Sequence, residues 1–240
     1  MVSNPEKPKL LLFGGTGIIG QAICKKFEDV GWTVVVVARK HDENFRQTIE
    51  WNPCKPNVTE KIIEDLRQYR GFDAVCWAQG ANLNDDVFTY QAVSHMEMYS
   101  VNVAYILNSL SLLLQHNLVK KPAKFCVLSS IWQDISRQNK LSYAVTKSAL
   151  KGLVLSACND MARDGHLINA VLPGALDTPM TRANLTSEQV SSIENATQFN
   201  RLAKLEDVSN AVFSLCSDLN TGITGNFITV DLGFSHVRNI

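Results

Sequence analysis

Short apolar runs alternate along the chain with longer stretches in which apolar and polar residues mix at helical spacing. The runs fall at 10–13, 34–38, 48–51, 74–77, 125–128, 167–171 and 227–230, each short enough and apolar enough to be a buried strand. Between them the pattern predicts helices over 17–30, 59–69, 92–117, 143–163 and 207–216. Strand and helix in alternation give an α/β fold, a doubly wound, seven-stranded parallel sheet in a single domain spanning 1–240. Asn102 falls inside the third predicted helix. Asparagine competes for backbone hydrogen bonds, so a break is expected there.

The first strand runs straight into FGGTGIIG, Phe13 to Gly20, and a helix follows. Gly15, Gly17 and Gly20 make a Gly-x-Gly-x-x-Gly pattern, weak alone but informative between a strand and a helix near the start of the sequence. Glycine permits the tight turn and close approach of backbone to a pyrophosphate, and the helix amino terminus offers N–H groups to the anion. The expectation is a Rossmann-like dinucleotide site using Gly14, Gly15, Thr16, Gly17, Ile18, Ile19 and Gly20. The second strand ends in Ala38, Arg39 and Lys40, where a carboxylate would bind a ribose 2′-hydroxyl and repel a 2′-phosphate. Two cations favour the phosphate, hence NADP(H), with Arg39 able to grip it bidentately.

A second constellation lies in VLSSIWQDISRQNKLSYAVTK. Tyr143 and Lys147 are four apart in a predicted helix and so share a face. A cation near the phenol favours the phenolate and brings the group toward the range useful for acid–base catalysis. A serine at the end of the apolar run 125–128 would emerge at the carboxyl edge of the sheet, where open α/β sheets bind ligands.

With these motifs the chain resembles the single-domain branch of the short-chain dehydrogenase/reductase family, and particularly its 3-oxoacyl-acyl-carrier-protein reductases. The family pattern of Tyr-x-x-x-Lys with a serine thirteen positions upstream selects Ser130 over Ser129. Asn102, in YSVNVAY, falls at the family's fourth catalytic position, and LPGALDTPM resembles its cofactor segment, implicating Pro173, Gly174, Leu176 and Thr178. The resemblance implies hydride transfer between NADP(H) and a carbonyl or alcohol. Tyr143 would exchange the proton, Ser130 orient the carbonyl, Lys147 lower the tyrosine pKa and hold the nicotinamide ribose, Asn102 position a relay water, and Thr178 hold the carboxamide. It also implies a homo-oligomer, dimer or tetramer.

Three departures stand out. Ile18 follows Gly17 in the glycine loop, a spacing more usual in the longer branch of the family. Trp77, Ala78, Gln79 and Gly80 replace Asn-Asn-Ala-Gly, leaving Ala78, Gln79 and Gly80 to meet the adenosine ribose by backbone. Lys40 to Val58 has little room for a helix, so Trp51 and Asn52 are candidates for the adenine pocket.

Composition narrows the partners. With 240 residues, 45% of them hydrophobic, the chain can bury a full core. Lys+Arg and Asp+Glu both total 23, so no net charge draws the chain to nucleic acid or anionic membrane. MVSNPEKPK has no apolar signal core and no apolar run is long enough to span a bilayer, which gives a cytoplasmic expectation. Six cysteines without a Cys-x-x-Cys pair and five scattered histidines point to reduced thiols and no catalytic metal. The loops at 131–142 and after Thr178 are polar, with Trp132 and Met180 the clearest apolar candidates for a pocket wall. The substrate expected is a small polar carbonyl compound, a keto sugar or hydroxylated ketone met by Gln133 or Arg182; alternatives are a 3-oxoacyl thioester and a silent NADP-binding sensor or scaffold.

Overall fold

The computed structural model describes residues 6–40, 43–55 and 60–237. Seven strands form one parallel sheet: β1 (Lys9–Phe13), β2 (Thr33–Ala38), β3 (Thr48–Glu50), β4 (Phe72–Trp77), β5 (Val119–Leu128), β6 (Leu167–Pro173) and β7 (Phe227–Val230). Their order is β3-β2-β1-β4-β5-β6-β7. The chain winds outward first one way from β1 and then the other from β4, so the crevice of a doubly wound sheet opens between the carboxyl ends of β1 and β4.

Helices cover both faces. α1 (Ile18–Asp29) and α8 (Leu205–Cys216) pack on one, where Ile23, Phe27, Val208 and Val212 meet Leu10, Leu12, Val34 and Val36. The opposite face takes α2 (Glu60–Arg67), α4 (Tyr105–Gln115) and α5 (Leu141–Met161), which bring Leu66, Leu113, Leu150 and Val154 against Leu11, Phe13, Val75 and Phe125. Alternate residues of one apolar run thus serve opposite cores, which is why these strands read as continuous apolar runs. Trp77 carries a polar atom into the core, and its indole N–H donates to Ser109 Oγ at 2.8 Å.

The expected break near Asn102 is a π-helical turn, Ser100–Ala104, joining α3 (Ala92–Tyr99) to α4. β5 begins six residues before its apolar run, because its polar first half pairs with β4 through a register shift. The predicted start of α2 at Thr59 lies outside the described residues. Two helices were not expected at all: α6 (Pro179–Asn184) and α7 (Ser187–Glu194), in the stretch read as a polar loop. Thr178 caps the first, with Pro179 just inside it, and Thr186 and Gln189 form a capping box at the second. Those start signals were present in the sequence. The apolar stripe that usually accompanies them is almost missing, since only Val190 of α7 is buried.

Candidate active site

Gly14 leaves β1 at φ +75°, and a Cβ there would lie 2.5 Å from the Gln79 backbone nitrogen. Only glycine lets the loop turn so close to the end of β4. Gly15 is pressed against Val36 and Gly20 against the Gly14 carbonyl, whereas a Cβ on Gly17 would meet only Gly14 O, at 3.5 Å. Gly17 is also the N-cap of α1, a helix with no capping side chain and no acid in its first turn. Its leading N–H groups are therefore available to an anion.

A cavity of about 750 Å³ opens beyond the carboxyl ends of β4, β5 and β6. Ser130, Tyr143 and Lys147 all line it, as do Ile18, Ile19, Ala78, Gln79 and Gly80, and Pro173, Gly174, Leu176 and Thr178 on the far side. Gly14, Gly15, Thr16, Gly17 and Gly20 lie outside its walls, as do Arg39 and Lys40, both exposed where β2 ends. Asn102 is also outside, directly behind Gly80: a Cβ on Gly80 would meet Asn102 Oδ1 at 3.5 Å and Lys147 Nζ at 3.7 Å.

Ser130 sits at the last turn of the β5 exit and its hydroxyl pairs with the Tyr143 phenol. Ser129 is committed elsewhere, donating to Gln133 Oε1 at 2.9 Å. Lys147 Nζ donates to the Leu128 carbonyl at 2.9 Å and lies 5.7 Å from the Tyr143 ring centroid. Burial pulls the Lys147 ammonium down to about 8. The direction at Tyr143 is opposite to the sequence expectation. Burial raises the phenol, the Ser130 hydrogen bond opposes it, and Lys147 faces the ring rather than dominating at the hydroxyl. Asn102 is fully buried, its Oδ1 accepting from Ala81 N at 2.7 Å and its Nδ2 donating to Ala81 O and Thr146 Oγ1. That leaves one lone pair on Oδ1 without a partner among the described residues, in an amide packed beside Gly80.

Trp51 is buried edge-on to Phe13 with its indole N–H unpartnered, and Asn52 Oδ1 accepts from Cys54 N; like Arg39 and Lys40, both lie outside the cavity walls. Two residues expected to meet the substrate serve the fold instead. Gln133 is buried under Ser129 and Ser148, and Arg182 pairs with Asp177 at 2.7 Å; neither lines the wall. The side chains of Met180 and Asn184 lie outside the described residues. The wall itself is more apolar than expected, with Trp132, Ile135, Leu185, Ile193 and Phe234 contributing. Lys140 also lines it, a residue whose importance the sequence did not reveal.

The match to known proteins follows this geometry. A family profile described as "Enoyl-(Acyl carrier protein) reductase" covers residues 16–235. The chain belongs to the short-chain dehydrogenase/reductase family. It is an oxidoreductase of that family. Among short-chain dehydrogenase/reductase relatives, the 3-oxoacyl-[acyl-carrier-protein] reductase of Aquifex aeolicus is 25% identical over 93% of this chain and 95% of its own length. A tropinone reductase homolog of Arabidopsis thaliana is 28% identical over 94% and 90%. In structure, the gluconate 5-dehydrogenase of Burkholderia cenocepacia, solved with NADP and tartrate, superposes with a TM-score of 0.87 over 96% of each chain at 19% identity. Among the described residues no cluster of His, Cys, Asp or Glu could hold a metal, and no helix is long and apolar enough to cross a membrane.

Proposed function

We propose that the chain catalyses reversible hydride transfer between NADP(H) and the carbonyl carbon of a small polar substrate, of the keto-sugar or hydroxylated-ketone class. The observation that carries this reading is the convergence of Ser130, Tyr143 and Lys147 on one cavity beside the glycine loop. The residues present fit a dinucleotide. The capless start of α1 suits the pyrophosphate. Both polar atoms of the Gln79 side chain are buried without a partner at the end of β4, where an adenosine would supply one. Arg39 and Lys40 are exposed, and no carboxylate among the described residues pairs with either, which suits a 2′-phosphate.

NADPH, when bound, supplies the hydride. Tyr143, held protonated at neutral pH by burial, donates its proton to the carbonyl oxygen. Ser130 donates a second hydrogen bond to the same oxygen and stabilises the charge that develops on it. Lys147, titrating near 8, restores the phenol's proton and places a cation beneath the ring. Asn102 fixes the π-helical turn behind Gly80 and presents its remaining lone pair to the proton path. Thr178, already the cap of α6, lines the side where a carboxamide would lie.

A 3-oxoacyl thioester is a second reading, favoured by the apolar wall of Trp132, Leu185 and Ile193 and by the 3-oxoacyl reductase relatives. Titration with NADPH followed by turnover on a carbonyl panel tests the assignment. Tyr143→Phe should bind NADPH with near-normal affinity and lose at least a hundredfold in kcat, the usual worth of a positioned acid. Near-normal turnover of this variant refutes the assignment.

A further inference from the structure

Lys140 is a buried charge that the chemistry above does not use. It precedes α5, is 4% exposed, and lines the cavity beside Tyr143 with its Nζ 5.6 Å from the phenol ring centroid. Its ammonium donates to Asn82 Oδ1 at 2.7 Å and Asn84 Oδ1 at 2.6 Å, both on the segment leaving β4. An ammonium has three N–H groups, and no protein acceptor among the described residues takes the third. Among the described residues no carboxylate forms an ion pair with it. Asp85 is the one acid whose charge acts on it, from beyond contact, and its two oxygens are occupied by the backbone N–H and hydroxyl of Ser142.

A buried cation without a counter-charge is costly, and amide dipoles offset only part of that cost. The other charges at this end of the cavity do not supply the missing anion. Arg137 adds positive charge and rests over the Trp132 ring at 5.9 Å, and Arg201, also in the wall, already pairs with Asp207. The one acid in the wall, Asp231, accepts from the backbone N–H groups of Gly233 and Ser235 on the opposite side.

We propose that Lys140 is a specificity-determining residue that binds a carboxylate or phosphate on the substrate, so that the preferred substrates are anionic carbonyl compounds whose charge sits about one tyrosine ring from the reacting carbonyl. This narrows the substrate class and rests on the oxidoreductase reading above. Two neutral asparagines then serve to aim the ammonium without cancelling it, leaving its third N–H for the substrate's oxygen. Substrate charge and Lys140 complete each other only in the complex.

Matched carbonyl pairs test this with purified enzyme and NADPH: levulinate against its methyl ester for a carboxylate, and dihydroxyacetone phosphate against dihydroxyacetone for a phosphate. Binding of each to the enzyme–NADP⁺ complex is measured by calorimetry alongside kcat/KM. The wild type should favour the charged member of at least one pair by tenfold or more, the low end for a charge-assisted hydrogen bond. Lys140→Met should erase that preference through weaker binding and higher KM, with the neutral member little changed, and Lys140→Arg should keep part of it. Equal handling of charged and neutral members by the wild type, or a preference that survives Lys140→Met, overturns the proposal. Because Lys140 also anchors Asn82 and Asn84, a poorly folded Lys140→Met leaves the decision to the wild-type ratio and to Lys140→Arg. Lys140-dependent anion binding without any hydride transfer would sink the oxidoreductase reading alone; turnover indifferent to charge would sink only this one.

Discussion

Replacing Lys147 with methionine should stabilise the unliganded protein while abolishing its chemistry. Burial takes the ammonium from 10.5 to about 8, and at 1.36 kcal/mol per pKa unit this is a cost to folding of about 3 kcal/mol near neutral pH. Methionine keeps most of the volume but loses the hydrogen bond to the Leu128 carbonyl, worth about 1 kcal/mol. The net gain is then about 2 kcal/mol at pH 7. Its pH dependence is the sharper test. Between pH 8 and 10.5 the native state has released the proton that the unfolded chain still holds, so wild-type stability rises with pH through that window. The advantage of Lys147→Met must therefore shrink as pH rises and reverse slightly above it. Urea denaturation of both proteins at pH 7, 9 and 10.5 measures the difference, in which titrating groups remote from Lys147 cancel. A variant less stable than wild type at pH 7, or a difference that does not change with pH, would refute the reasoning.

Cofactor choice should turn on Arg39. Ala38 is buried, so the acid that would recruit NAD belongs one residue later, and Arg39→Asp should shift the ratio of kcat/KM from NADPH toward NADH by at least tenfold; a wild type that already prefers NADH contradicts the reading. Association through the helical faces is expected from the exposed Val93 and Met96 of α3, Leu107 of α4, and Val145 and Leu155 of α5. Sedimentation should give a dimer or tetramer that Val93→Asp with Met96→Asp weakens, and a monomeric wild type at micromolar concentration would end that expectation.

The parallel sheet was legible because β1, β2, β4 and β6 are apolar runs of the right length, and a strand buried on both faces needs little else. The boundaries of β7 agree residue for residue. β5 was half-read, since Val119–Lys124 is too polar to be recognised without β4 beside it. α6 and α7 escaped for a related reason. They wall a cavity instead of packing on the sheet, so most of their residues stay polar and only the caps at Thr178 and Thr186 betray them.

The two lysines at the start of α5 show where such reading stops. Lys147 is found because its partner is local: one helical turn separates it from Tyr143, and any sequence displays that spacing. Lys140 takes its environment from Asn82 and Asn84, residues 58 and 56 positions away. On the page of a sequence it is one more charge in SRQNKLS, indistinguishable from the exposed Arg137 nearby. Only the fold makes it a buried cation facing the same cavity as the tyrosine. Of the residues that form the bond-making geometry, Tyr143 and Lys147 share one helix and leave a periodic trace, while Ser130 and Asn102 are picked out by their fixed spacing in the family pattern. Those that would choose the substrate are assembled from the β4 exit, the turn before α5 and the two cap-dependent helices, where no period exists to be read. The chemistry of the site can for that reason be argued from the chain alone, while its selectivity has to be argued from the cavity.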